Sequence, residues 1–467
     1  MSLIPDPRFL YYIAKNYNFV NRLWEFNKKE LKLFQTKSFK KALKNADNTE
    51  IYKKKFKEAK IDINKISSID DIKKFPFTSK QDFRDAGTKA TVPNGFNLDK
   101  SFKVDTSGST GRPVSIYRDL NAVALESLFI RRIQKSYDLH PTKIRITNIG
   151  DFGIPNSYDE ECLVKGVEQK LGFLRSFSTK NVQNIYAGIP VKDILEQLES
   201  FKPELIVSYP GILIGLMKLK EQGKVKNFNP KYVASSGGIL DPYTKKQFEN
   251  VFDAKIFSLY AATESGPLAF ECPEGKYHVQ SDLSYVEAID ENQKLVANGK
   301  HGHLVLTRFY TGGTPIIRYT GMDDIITISD EESCDCGMHS QILENVEGRT
   351  ADAIIIPDGR IFPAATFTLI PGEVAQDYKI DVIRRFQIIQ NKIDEIEILV
   401  VFNQDLKKSE KMGKEILHEI KKRYQKVVGK SVNVLVKEVD KVKKDKRAPT
   451  TSLSSIVVSN IDHKDYL

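Results

Sequence analysis

Between residues 144 and 262 the sequence alternates short apolar runs with helix-spaced segments, and this alternation limits the fold more than any other feature. The order is "IRITNIG", the helical "DILEQLESF", "ELIVSYP", the helical "ILIGLMKLKEQG", "YVASSG", the helical "DPYTKKQFENVF" and "AKIFSLYA". Apolar runs of this length read as strands, and strands alternating with helices of roughly ten residues build a layered α/β architecture. From about residue 278 to 330 the pattern changes. There "YVEAID", "HLVLTRF", "PIIRYT" and "DIITIS" read as strands joined by turns, which predicts a β-rich subdomain.

A chain of 467 residues exceeds what one ordinary core accommodates. The expected division is a large domain, comprising a helical N-terminal region (1–75) and a main body (76–348), followed by a small C-terminal α+β domain (349–467). The small domain is read from "EGRTADAIII", the hairpin "PDGRIF", the strands of "IDVIRRFQIIQNKIDEIEILVVFN", the helix "KMGKEILHEIKKRYQKVVG" and the strand "VNVLVKEV". Within the first region, "NFVNRLWEFNKKELKLF" places Phe19, Leu23, Phe26 and Leu33 or Phe34 at helical intervals, as core positions. "FPFTSKQDFRDAG" breaks at Pro76 and offers Thr78 or Ser79 as a helix cap. "LNAVALESLFIRRIQKSYD" reads as one amphipathic helix.

With 40% hydrophobic and 28% charged residues the chain reads as a soluble globular protein. No apolar run approaches membrane-spanning length, and "MSLIPDPRFLYYIAKNY" lacks the pattern of an export signal, so a cytoplasmic location is expected. The net charge of +10 is enriched in residues 391–467. Its lysines are interspersed with glutamates and lack aromatic interleaving, which argues for an anionic small substrate and against nucleic acid.

"KVDTSGSTGRPV" (103–114) packs four hydroxyls and two glycines into one loop. It is neither a Walker A loop nor a dinucleotide fingerprint. Gly108 and Gly111 let successive backbone N–H groups converge on an anion, while Ser107, Ser109 and Thr110 add hydroxyl donors and Arg112 a charge. The plainer alternative is a Ser/Gly turn without a ligand.

Four segments together resemble the adenylate-forming enzymes, the acyl-CoA synthetase superfamily, in the branch of phenylacetate–CoA ligase, coenzyme F390 synthetase and CapK-like proteins. They are "FPFTSKQDFRD" with the loop behind it, "SLYAATESGPLAFECPEGKYH", "TRFYTGGTPIIRYTGMDD" and "VEGRTADAIIIPDGRIFP". The likeness runs in order from about residue 75 to 365. It implies that 76–348 binds ATP and the acid, and that the carboxylate is activated as an acyl-adenylate with release of pyrophosphate. In that scheme Ser107, Gly108, Ser109, Thr110 and Gly111 grip phosphates. Glu264 holds Mg2+, with Thr263 at the α-phosphate. Tyr260 lies against adenine, and the loop of Ser235, Ser236, Gly237 and Gly238 passes the adenine and acyl pocket. Asp323 accepts the ribose hydroxyls, its neighbour Asp324 takes a surface or turn role, and Arg349 contacts ribose or phosphate from the hinge. The bland alternative for Glu264 is a cap or salt bridge to a neighbouring turn.

The sequence departs from the resemblance at two places. Ala351 replaces the first acidic residue of the hinge wording, leaving Asp352 as the pivot. No glycine precedes the C-terminal lysine in "VDKVKKDKRAPTTSLSS"; Lys446 is the candidate catalytic lysine, with Lys443 and Lys444 as rivals and a solvated charge run as the alternative. Arg318 either supports the nucleotide or pairs with a buried carboxylate.

Cys272 and His278, with the C-x-C pair Cys334 and Cys336, form a ligand set suited to tetrahedral Zn2+ in a structural site. Free thiols, with His278 touching substrate, are the alternative, and Cys162 falls outside the pattern. "IVSYPGILIGLMKL" and "ITNIGDFGIP" supply Tyr209 and Phe152 as candidate acyl walls, favouring an aryl or small hydrophobic acid, while Ile212, Leu213 and Leu216 read as helix core. The acceptor implied by the nearest named enzymes is coenzyme A, with an amine, hydroxyl or carrier protein open; assembly as a homodimer is also left open.

Overall fold

Helix starts in the N-terminal region are set by side-chain caps more than by apolar spacing. The helix Arg22–Glu25 ends at Phe26, and Asn27 begins a separate helix, Lys28–Asp47. Asn27 Oδ1 accepts from Glu30 N at 3.0 Å while Glu30 Oε2 accepts from Asn27 N at 2.9 Å. Such a reciprocal cap is worth about 1 kcal/mol and starts a new helix inside the stretch of helical apolar spacing at 18–34. Phe19 and Leu23 are buried, Phe34 is half-buried with its ring 5.6 Å from that of Phe26, and Leu33 is 63% exposed. Ser79, not Thr78, caps Lys80–Ala90. The helix expected over 120–138 is two, Leu120–Ser127 and Phe129–Ser136, parted at Leu128.

The structure, a computed structural model, describes the chain except residues 1–4, 106–113, 151–179, 188, 239, 241, 323, 332, 350–353, 358–360, 363–366, 368–369, 372–373, 375–376, 379–381, 405–408, 443–456 and 462–467. Strands β1 (Phe102–Asp105) and β2 (Ser115–Arg118) form an antiparallel pair that flanks the glycine-rich loop. Then β3 (Ile146–Gly150), β4 (Val182–Tyr186), β5 (Leu205–Ser208), β6 (Tyr232–Ser235) and β7 (Lys255–Ala262) pair in parallel, in the order β4-β3-β5-β6-β7. Helices Val191–Phe201, Pro210–Glu221 and Pro242–Phe252 cover one face through Ile194, Leu198, Ile212, Leu216, Phe248 and Phe252. The other face meets Phe129–Ser136 through Ile133.

At β7 the same sheet turns antiparallel. Strands β8 (Gly266–Glu271), β9 (Tyr277–Val279), β10 (Ser284–Ile289), β11 (His301–Arg308), β12 (Asp324–Ile328) and β13 (Ile342–Arg349) continue it in the order β7-β8-β9-β13-β12-β11-β10. "PIIRYT" is not a ladder strand: it carries only bridges from Tyr319 to Thr78 and to Leu306. Arg318 there has φ 42°, a left-handed conformation that interrupts a strand. Its guanidinium pairs with buried Glu287 through two 3.0 Å contacts and donates to Phe75 O at 2.6 Å. Arg318 thus takes the buried-pair role, joining β10 to the N-terminal region.

Farther along, β14 (Ile354–Ile355) and β15 (Ile361–Phe362) make the expected hairpin. Strands β16 (Ile383–Lys392), β17 (Glu395–Phe402), β18 (Asn433–Glu438) and β19 (Val457–Ser459) form a four-stranded sheet ordered β18-β17-β16-β19. Helix Glu410–Val428, capped by Ser409, packs on it, and Ile388, Ile398, Ile416, Ile420 and Tyr424 are wholly buried in a core of their own. The architecture is a large α/β domain with mixed strands plus a smaller α+β unit. Among the described residues no helix is long and apolar enough to cross a membrane.

Candidate active site

In an open α/β sheet, ligands bind beyond the carboxyl ends of the parallel strands. Ser208, Ser235 and Ser258 sit side by side in register on β5, β6 and β7, and the chain beyond them carries the residues singled out above. After β6, Ser236 N donates to Ser208 O at 3.0 Å. Gly237 follows at φ +71°, and a Cβ there would stand 2.5 Å from Cε1 of Tyr209. The Tyr209 ring therefore lies against the Ser236–Gly238 backbone, a contact open only to glycine. Ile212, Leu213 and Leu216 are core residues.

Beyond β7 the chain turns tightly through Thr263–Ser265 into β8. Glu264 is 5% exposed, and the Tyr319 hydroxyl approaches its Oε1 at 3.5 Å. Two buried arginines hold the turn's backbone. Arg118 Nη2 donates to Thr263 O at 2.6 Å, and Arg308 Nη1 donates to Glu264 O at 3.2 Å. Glu126 anchors Arg118 at 2.7 Å and accepts from the Tyr310 hydroxyl, which also donates to Ser265 O at 3.1 Å. Sequence reading passed over Arg118, Arg308, Glu126 and Tyr310. The available signal was an arginine closing an otherwise apolar strand, "HLVLTR", where a charge must find a partner when buried.

Tyr260 and Glu264 are met from the antiparallel half. The Tyr260 hydroxyl donates to Asp324 Oδ2 at 2.5 Å. Three strands separate β7 from β12 in the sheet order. Flat, these would lie about 19 Å apart, so the contact requires a strongly curled sheet. Register shifts in the β7–β8 and β12–β13 pairs accompany that curl. Asp324 is therefore not the surface or turn residue expected: it is 8% exposed and opens β12. Across the ladder it faces the backbone of Arg349.

Several expected residues lie outside the described ones: Ser107, Gly108, Ser109, Thr110, Gly111 and Arg112 of the loop, Phe152, Cys162, Asp323, Ala351, Asp352, Lys443, Lys444 and Lys446. The side chain of Arg349 does too.

On the β8–β9 side, Cys272, His278, Cys334 and Cys336 bring their ligand atoms within 4.8 Å of one another. Cys272 and Cys334 Sγ are 3.7 Å apart, and Cys336 Sγ lies 3.3 Å from His278 Nε2. Around a tetrahedral zinc with thiolate bonds near 2.3 Å, ligand atoms stand about 3.8 Å apart, so the cluster is of the right size. Ser340 Oγ sits 2.8 Å from His278 Nδ1 and turns Nε2 toward the thiols. The Cys336 thiol donates to Cys272 and draws the Cys272 thiol well below its ordinary range. Trp24 Nε1 donates to Cys336 O at 3.0 Å and His339 N to Leu23 O at 2.7 Å, so the N-terminal region docks on this knuckle.

Comparison with known proteins bears on the fold. Residues 370–448 match the family model described as the CapK C-terminal domain. The whole chain superposes on 2-hydroxyisobutyryl-CoA ligase in its postadenylation state with a TM-score of 0.71 at 17% identity, covering 100% of this chain and 92% of that one. The fold is that of the adenylate-forming superfamily. In sequence the chain is similar to phenylacetate-coenzyme A ligase of Thermus thermophilus (24% identical, 79% of this chain and 80% of the relative). It is likewise similar to phenylacetate-coenzyme A ligase of Escherichia coli (23%; 87% and 91%) and to protein CapK of Staphylococcus aureus (22%; 81% and 79%). The chain thus has the adenylate-forming fold and is similar in sequence to phenylacetate-coenzyme A ligases and to protein CapK.

Proposed function

We propose that this protein activates an organic carboxylic acid with ATP and transfers the acyl group to coenzyme A. The observation that carries the reading is the Thr263–Glu264 turn, which presents a buried carboxylate beyond the carboxyl ends of parallel strands at the point where the sheet changes direction. Glu264 supplies the oxygen ligand a hard cation requires, and Mg2+ held there would offset the negative charge of ATP phosphates. A carboxylate oxygen attacks the α-phosphorus as the bond to pyrophosphate breaks, giving an acyl-adenylate. The thiol of coenzyme A then attacks the acyl carbon, AMP departs, and the thiol proton is released.

In this reading Ser107–Gly111 hold the phosphates and Thr263 contacts the α-phosphate. Tyr260, kept in place by Asp324, and the Ser236–Gly238 loop form the adenine and acyl walls. Asp323 takes the ribose, Arg349 reaches the nucleotide from the hinge, and 349–467 turns about Asp352 to bring Lys446 in for the first step. The acid is an aryl or small hydrophobic one. Acid-dependent pyrophosphate release from ATP tests the reading: release with at least one aryl or short-chain acid is expected. Absence of release across the panel would favour a non-catalytic nucleotide-binding relative. With an amine, hydroxyl or carrier-protein arm as the alternative acceptor, adenylate without thioester is expected when CoA is added.

We also read Cys272, His278, Cys334 and Cys336 as a structural Zn2+ site. Its four donors leave no open position, so it pins β8 and β9 to the segment before β13 and takes no part in the chemistry. About one zinc per chain is expected in purified protein, with loss of metal and of thermal stability in Cys336→Ser. Metal-free protein of undiminished stability would end this assignment.

A further inference from the structure

The β1–β2 hairpin and the Thr263–Glu264 turn are distant in sequence, yet one buried side chain spans them. Arg118 ends β2, the strand that leaves the glycine-rich loop, and is 2% exposed. Its Nη2 donates to Thr263 O at 2.6 Å and its Nε to Glu126 at 2.7 Å. The hairpin is tied to the same turn by a second route. Tyr117 N donates to Thr314 Oγ1 and Thr314 N to Tyr117 O, each at 3.0 Å, while Arg308 bonds both Thr314 O and Glu264 O. The approach is close: a Cβ on Gly313, at φ +122°, would stand 1.9 Å from Tyr117 O.

Two guanidiniums thus grip consecutive carbonyls of the turn: Arg118 from the hairpin that presents the loop, and Arg308 from the end of β11, tied to that hairpin through Thr314. Buried charge-assisted bonds of this kind fix backbone direction more firmly than neutral ones. We infer that Arg118 is a positioning residue that makes the β1–β2 hairpin and the Glu264 turn one mechanical unit. This rests on the function proposed above, and it assigns to Arg118 no contact with substrate.

In Arg118→Lys the positive charge stays but the two-pronged bridge is lost. Expected is a fall in kcat for pyrophosphate release of about 30- to 100-fold with KM for the acid little changed, because a misplaced ligand costs transition-state rather than ground-state binding. The Mg2+ concentration for half-maximal rate should rise several-fold. Without any substrate, amide hydrogen exchange should accelerate in peptides covering 260–268 and 114–119 and remain unchanged in 383–438. Tyr310→Phe, which removes the strut to Ser265 and leaves Arg118 in place, should show the same signature more weakly, and it keeps the test open if Arg118→Lys fails to accumulate.

Unaltered exchange in both peptides would overturn the inference, as would an exchange increase spread over the whole chain. A rise in KM with unchanged kcat and Mg2+ dependence would also overturn it. Should the unchanged protein release no pyrophosphate with any acid, the functional proposal fails, while the exchange measurement still decides whether Arg118 couples the two segments.

Discussion

Glu264→Gln is expected to slow acid-dependent pyrophosphate release about 100- to 1000-fold, the cost of removing one preorganised electrostatic contact in an enclosed site. The substitution keeps the side chain's shape and its ability to accept from Tyr319, so folding should be little affected. What it removes is the negative charge, and an amide oxygen is a weaker ligand for a hard cation. Raised Mg2+ should recover part of the lost rate, and binding of ATP measured without Mg2+ should hardly move. Turnover within about threefold of the unchanged protein would remove Glu264 from the metal role.

Asp282→Ala should produce the largest loss of stability. Arg132 and Asp282 have no solvent exposure in their side chains and meet through two bonds of 2.9 Å. Arg22 adds a third contact to Asp282 at 2.8 Å, and Arg132 also donates to Gln280 at 2.7 Å and to Phe19 O, with the Phe19 ring 3.5 Å from its guanidinium. Burial alone would push the Asp282 carboxyl up, but Arg132 and then Arg22 outweigh it and hold the group below its usual range. Removing the carboxylate leaves a fully buried guanidinium without its counter-charge, which costs about 3–5 kcal/mol. The loss should appear as a lower unfolding midpoint and as early proteolysis within residues 5–47. Because the carboxyl is depressed in the folded state, its contribution is present above the ordinary carboxylate range and is lost as pH falls through the folded value. A midpoint that does not move would show that the pair adds nothing over its replacement.

What the sequence disclosed follows the range of the forces involved. The βα alternation from 144 to 262 survives because each strand and helix is specified by its own apolar spacing, and all four strands expected there pair in parallel. Cys272, His278, Cys334 and Cys336 were legible because ligand chemistry restricts which residues can gather. The expected strand at 315–320 failed because Arg318 answers to Glu287, 31 residues away, and takes a left-handed backbone to reach it. The helical reading of 18–34 holds, and its break at Asn27 follows a local rule present in the letters: Asn27 and Glu30 have cap spacing. Asp324 and Arg118 left no local trace, since their partners come from a sheet that curls back on itself, and Arg308 was marked only by closing the run "HLVLTR".

The tryptophan at position 24 is the only one in the chain. Its indole N–H is tied to the carbonyl of Cys336, with the Lys135 ammonium 4.6 Å above the ring. Emission from that single fluorophore therefore originates within one hydrogen bond of the cysteine–histidine knuckle. The protein carries a native optical gauge there, and chelation or thiol oxidation can be followed by colour and intensity with no label added.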